Sequence, residues 1–201
     1  LAAAVFQSWD AQHNGPESSD HLSHAVRLLI ESLAPDPDSQ ILDVGPVCSE
    51  NINFFGRQVH RVYLCDMFMA LNLALRENRN PSEIWGKLDY PPESFDAVLL
   101  WDFVDRLADQ DLGRMVEICA FLVKAGGMIM VFARGELSVP TAVHTFAVSE
   151  GFRVHQRLQP HLSLPFHGRQ NRQLLARLAP FAPVKSYMHR NGLREMLLRP
   201  R

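Results

Sequence analysis

The chain has 201 residues, 47% of them apolar and 21% charged, and its 20 basic residues nearly balance 22 acidic ones. This composition suits a single globular domain with its own core. The longest apolar run, Ala125–Ala133, holds nine residues, too few for the ~20 that a membrane-spanning helix needs.

The charge balance conceals an asymmetry. Residues 1–152 carry 10 basic against 21 acidic side chains, whereas residues 153–201 carry 10 basic against one acid, Glu195. Such a basic quarter either attracts an anionic substrate, a phosphate or an acidic partner, or packs against its own acidic body. The three cysteines, Cys48, Cys65 and Cys119, are scattered in apolar contexts, and the nine histidines show no His-x-x-x-His spacing. No disulfide framework and no structural or catalytic metal is expected. No basic-then-apolar leader opens the sequence, so a cytoplasmic location is expected.

Taken in chain order, residues 1–19 are rich in turn formers and read as a flexible start. Leu22, Ala25, Val26, Leu29, Ile30 and Leu33 recur at helical spacing, with Ser18, Ser19 or Asp20 as cap and Pro35 as stop. Ile41–Val44 is a short apolar run ending at Gly45-Pro46, as a buried strand entering a tight turn does. A helix through Ile52–Val59 follows, then a strand over Val62–Cys65 ending on Asp66, and a helix over Met67–Glu77. Residues 78–92 read as irregular with a short strand near Ile84. Phe95–Trp101 reads as a buried strand, Leu107–Val123 as a helix and Met128–Phe132 as a fifth strand. Beyond it, Pro140–Ser149 reads as helix, Phe152–Leu158 as strand, Arg169–Ala179 as helix and Leu193–Leu198 as a last strand. Alternating strands and helices predict an α/β fold: a Rossmann-like, doubly wound, mostly parallel seven-stranded sheet with helices on both faces. Ligands of such sheets lie beyond the carboxyl ends of the strands, which selects Gly45–Ser49, Asp66–Met67 and Trp101–Asp102.

Three stretches carry a resemblance. They are Ile41-Leu42-Asp43-Val44-Gly45, then Val62-Tyr63-Leu64-Cys65-Asp66, and the block from Ser94-Phe95-Asp96-Ala97-Val98 to Lys124-Ala125-Gly126-Gly127-Met128-Ile129-Met130-Val131. In order and spacing they resemble the class I S-adenosylmethionine-dependent methyltransferases. The resemblance covers roughly residues 20–158, a cofactor-binding core, and leaves residues 159–201 as a basic element for substrate or partner within the same domain. It implies S-adenosylmethionine as cofactor, with Asp66 accepting both ribose hydroxyls and Asp43 helping to hold the methionine end. Gly45 stands where backbone approaches the ligand. Pro46 and Val47 complete that turn, Met67 lies against the adenosine, and Trp101 and Asp102 face cofactor or substrate. Each has an ordinary alternative: Asp66 as a helix cap, Asp43 satisfied by loop amides, Met67 and Trp101 as core.

The sequence departs from the family at the loop. Where the family has Gly-x-Gly-x-Gly, this chain has Gly45-Pro46-Val47-Cys48-Ser49. A valine there disfavours positive φ, so either the cofactor binds through an altered loop or it does not bind. Catalytic residues remain unassigned; His144, His161 and His167 can each supply a general base. Asp102, Asp105, Asp109 and Asp111 read as caps and solvated surface rather than as a metal site. Arg169, Arg172 and Arg177 on a helix ended by Pro180 can cover a substrate, meet an anionic surface or pack against a second copy in a homodimer. The leading expectation is methyl transfer to a small, anionic or neutral molecule. A catalytically inactive scaffold is the alternative, and nucleic-acid modification a third reading that the acidic body disfavours.

Overall fold

The computed structural model describes residues 20–34, 36–135 and 142–201. The expectations for residues 1–19 and for a helix stop at Pro35 lie outside them.

The elements run β1 (His21–Leu22), α1 (His24–Leu33), β2 (Gln40–Asp43), α2 (Ser49–Phe55), β3 (Arg61–Leu64) and α3 (Met67–Arg76). A 3-10 segment at Pro81–Leu88 leads to β4 (Phe95–Trp101), a 3-10 turn at Asp102–Asp105, α4 (Asp109–Leu122) and β5 (Val123–Arg134). The chain closes with β6 (Ala142–Ser149), β7 (Arg153–Ser163), α5 (Asn171–Arg177), β8 (Phe181–Met188) and β9 (Leu193–Pro200). Six strands form the main sheet in the order β3-β2-β4-β5-β9-β8. The first four are parallel neighbours, and β9 and β8 join antiparallel.

Burial on both faces explains the continuous apolar runs of the central strands. Along β4, Ala97, Leu99 and Trp101 face the core beneath α1 and α2, whereas Val98 and Leu100 face the core beneath α3 and α4. The helices read as predicted because their apolar stripes meet these faces: Ala25, Val26, Leu29 and Ile30 of α1 are buried, as are Leu112, Met115, Val116 and Cys119 of α4.

Four expectations are corrected. Ile84 sits in a 3-10 segment rather than a strand, and its side chain fills the core beside Leu88; the main sheet has six strands, not seven. The segment expected to be helical before Ser149 is β6, whose β-branched Val143, Thr145 and Val148 suit a strand paired with β7. With β1, these two strands make a second, antiparallel sheet ordered β1-β7-β6. Helix α1 begins later than expected, its cap being Ser23, whose side chain accepts the Val26 N–H at 3.1 Å. The edge strand β8 was not anticipated; its Pro183 sits at a register shift where no ladder donor is needed.

Candidate functional site

The parallel strands β2, β3 and β4 end side by side, and each ends on a polar group. Leu42 pairs with both Tyr63 and Val98, so the tips carrying Asp43, Asp66 and Trp101 are adjacent. This register brings together six of the eight residues selected from the sequence, Asp43, Gly45, Pro46, Val47, Asp66 and Trp101.

Asp43 is buried, and its Oδ1 accepts the Gly45 N–H at 2.9 Å and the Trp101 indole N–H at 2.7 Å. The nearby Asn51 amide of α2 also favours the charged carboxylate, more weakly. Burial nevertheless dominates and pushes the Asp43 carboxyl up to about 6, because donors only partly replace lost hydration. Gly45 has no positive φ; the positive-φ glycines among the described residues are Gly126, Gly151 and Gly192. What requires glycine is the indole: a Cβ at Gly45 would lie 2.5 Å from Trp101 Cδ1. Pro46 is buried beside it and Val47 is exposed.

Asp66 caps α3, with Oδ1 accepting the Met69 N–H at 2.8 Å. Its Oδ2 accepts the Val47 N–H at 3.3 Å and so ties the β3 tip to the altered loop. Burial raises this carboxyl as well, opposed by the Met69 and Val47 bonds and by the nearby His161. Capping and ligand binding are compatible here. Oδ2 carries one long bond, and the residue is only partly buried.

Trp101 is fully buried with φ of 49°, a sparsely populated backbone state for a non-glycine residue. Its ring stacks on Phe146 of β6 with a 6° interplanar angle and meets Phe55 and Phe132 edge-on. Met67 is wholly buried in the core, and its main chain N–H bonds to Val44 O. Asp102 turns away from the loop and pairs with the buried Arg106 at 2.8 Å. Its Oδ1 is buried with no hydrogen-bond partner among the described residues.

The β6–β7 hairpin lies over these tips. Asn51 clamps it, donating to Phe146 O at 3.0 Å and accepting from Val148 N–H at 2.8 Å. On the other side Ser163 N–H donates to Asn72 of α3, and Arg157 pairs with Glu50 at 2.5 Å. The hairpin carries His144 and His161. His144 is held below the usual imidazole range by burial and by the Arg134 charge, with Asp102 pulling the other way. Its Nδ1 is buried without a partner among the described residues, so a neutral imidazole faces the Asp102–Arg106 pair. Sequence reasoning missed Asn51, whose one signal was an amide among the apolar positions of α2.

One expectation about charge is revised. Asp102 and Asp105 are buried rather than solvated; burial raises the Asp105 carboxyl to about 7, partly opposed by its bond from Arg134 N–H. Much of the basic quarter packs on its own acidic body. Arg169 and Arg177 both pair with Asp109, and Arg169 also donates to Val104 O and Leu107 O. A cleft of about 580 Å³ beside this cluster, lined by Asp109, His167, Arg169 and Arg177, is thus edged by neutralised charges. His167 there is lowered by burial and by Arg169.

No family model matches the sequence, and no curated protein does. Solved structures do match. The Burkholderia thailandensis 1,6-didemethyltoxoflavin-N1-methyltransferase, with bound 1,6-didemethyltoxoflavin and S-adenosylhomocysteine, is 17% identical at a TM-score of 0.50, over 88% of this chain and 78% of that one. Streptomyces venezuelae DesVI is 15% identical at 0.52, over 88% and 90%. A SAM-dependent methyltransferase from Methanosarcina mazei is 15% identical at 0.52, over 89% and 98%. The sheet order, the polar strand tips and these likenesses agree, and the chain has the fold of the class I S-adenosylmethionine-dependent methyltransferases.

Proposed function

We propose that the chain binds S-adenosylmethionine at the tips of β2, β3 and β4 and transfers its methyl group to a small molecule held beneath the β6–β7 hairpin. The observation that carries this reading is the half-buried Asp66 carboxylate, which joins the Val47 amide at the strand tip and retains accepting capacity toward a diol. The Burkholderia structure, which holds S-adenosylhomocysteine and a small heterocycle, supports it by analogy of fold. The bound sulfonium supplies an already activated methyl group, so the protein's work is alignment and water exclusion. Asp66 orients the ribose. Trp101 holds Asp43, and Asn51 holds the hairpin, in register at the strand tips. His144, held below the usual imidazole range by burial and by the Arg134 charge, accepts a proton from the substrate's nucleophilic atom, and Asp102 favours the protonated form that results. No helix among the described residues is long and apolar enough to cross a membrane, and the free cysteines suit the reducing cytoplasm.

Calorimetric titration with S-adenosylmethionine and S-adenosylhomocysteine tests the proposal. Saturable one-to-one binding, weakened at least ~10-fold in Asp66→Ala, is expected. Folded protein that takes up neither compound would overturn it.

One observation favours a second reading, an inactive scaffold. Trp101 and Gly45 already occupy Asp43 Oδ1, and their mutual packing fills the space that a bare glycine loop leaves to a ligand. Folded protein that binds neither S-adenosylmethionine nor S-adenosylhomocysteine would favour it.

A further inference from the structure

Away from the strand tips, β1, β8 and β9 bring two histidines to one buried carboxylate. Glu195 sits on β9 with a fully buried side chain, His21 on β1 is 13% exposed and His189, just after β8, is 19% exposed. Glu195 Oε2 belongs to the start of α1, accepting from Ser23 Oγ at 2.8 Å and Ala25 N–H at 3.3 Å. Oε1 faces both imidazoles: His21 Nε2 lies at 2.5 Å and His189 Nε2 at 3.2 Å. His189 Nε2 is buried and out of hydrogen-bonding alignment with that oxygen. One ligand atom from each of the three residues falls within 4.8 Å of the others.

We propose that His21, His189 and Glu195 form a binding site for a divalent transition ion of the zinc class, with water completing its coordination. Two imidazole nitrogens and one carboxylate oxygen are a donor set that zinc and its neighbours accept. Magnesium and calcium prefer oxygen alone. Ligands about 2.0–2.1 Å from a tetrahedral ion stand about 3.3 Å apart, which the His189–Glu195 separation of 3.2 Å meets. The closer His21 contact, at 2.5 Å, opens by about 0.8 Å to admit the ion. An ion here offsets the charge of Glu195 and draws His189 Nε2 into a bond. It also ties β1 to the β8–β9 hairpin, across 174 residues of sequence. This reading is independent of methyl transfer. It departs from the expectation of no metal, because His21 is remote in sequence from His189 and Glu195, and the latter two, on one hairpin, make no familiar metal-binding spacing.

The test uses untagged protein stripped by chelator, then titrated with Zn²⁺ in competition with a chelating dye, with Co²⁺ followed by its visible absorption, and with Mg²⁺ as control. One equivalent of Zn²⁺ and of Co²⁺ is expected, with a rise in melting temperature that Mg²⁺ does not reproduce. His189→Ala and His21→Gln should each weaken binding at least ~10-fold, and His60→Ala, an exposed histidine elsewhere, should leave it unchanged. Circular dichroism identifies which variants are folded, and either one suffices for the comparison. Absence of one-to-one binding by wild-type protein, or equal binding by wild type and a folded His21 or His189 variant, overturns the proposal.

Discussion

Replacing Trp101 by Phe isolates the bond on which the strand-tip arrangement turns. The indole N–H donates to Asp43 Oδ1 at 2.7 Å, and both residues are buried. Phenylalanine preserves most of the stack on Phe146 and withdraws the donor. Burial holds the Asp43 carboxyl at about 6, against the pull of Trp101, Gly45 and Asn51; without the indole it moves higher still. The sign of the pH effect follows from proton counting. Between the ordinary 3.8 and about 6 the folded protein keeps a proton that the unfolded chain has lost. Stability therefore falls as pH rises through that window and levels off above it. In Trp101→Phe the fall extends to higher pH. At about pH 5, where Asp43 is largely protonated in both proteins, the variant loses about 1–2 kcal/mol from a smaller ring and a neutral hydrogen bond. At about pH 8 the carboxylate is ionised without its donor, and the loss grows to about 2–4 kcal/mol. Urea unfolding at the two pH values measures both numbers, provided the slopes match. Equal losses at both would show that the indole does not serve a charge, and the account of Asp43 would fail.

The same geometry sets other outcomes. Gly45→Ala places a Cβ 2.5 Å from Trp101 Cδ1 and 2.7 Å from Nε1; the ring must shift, and a loss of about 1–3 kcal/mol is expected in thermal or urea unfolding. His144→Gln should lower kcat by about 10²–10⁴-fold with cofactor affinity unchanged, and the wild-type rate should drop as pH falls through the lowered His144 value. A variant with wild-type kcat would remove His144 from the mechanism. Because the protein already satisfies Asp43 while Asp66 keeps accepting capacity, adenosine alone should bind within about tenfold of S-adenosylhomocysteine; competition calorimetry measures the ratio, and a gap of ~1,000-fold would mean that the amino-acid end carries recognition.

Much of the sheet was legible because central strands buried on both faces announce themselves as unbroken apolar runs. Phe95–Trp101 is read to the residue, and the strand tips at Asp43 and Asp66 follow from where the runs stop. Periodicity failed where two patterns coincide. The stretch before Ser149 mixes alanine, valine, phenylalanine and threonine in a spacing that serves either a helix or a half-buried strand, and pairing with β7 decides for the strand. Asp102 and Asp105 look like surface acids in sequence. Their burial depends on Arg106 and on the main chain of Arg134, partners that only the fold supplies.

The altered loop makes physical sense once Trp101 is placed. Positive φ among described non-glycine residues occurs at Asn78, Glu93, Trp101 and Phe152, not at Val47 or Ser49, so the turn is one that valine and serine adopt without strain. The unusual backbone sits instead at the tip of β4, where φ of 49° directs the indole back over Gly45. A stack on Phe146 and edge contacts to Phe55 and Phe132 hold it there, which is the kind of surrounding that maintains a strained residue. Val47 and Ser49 in the loop and the bulky Trp101 on β4 thus belong to one packing arrangement. The indole supplies to Asp43 a donor from within the protein. The loop amide of Val47 reaches across to Asp66. On the proposed reading, recognition rests on the β3 tip rather than on the β2 loop, and Asp66 is the residue whose loss should weaken cofactor binding most.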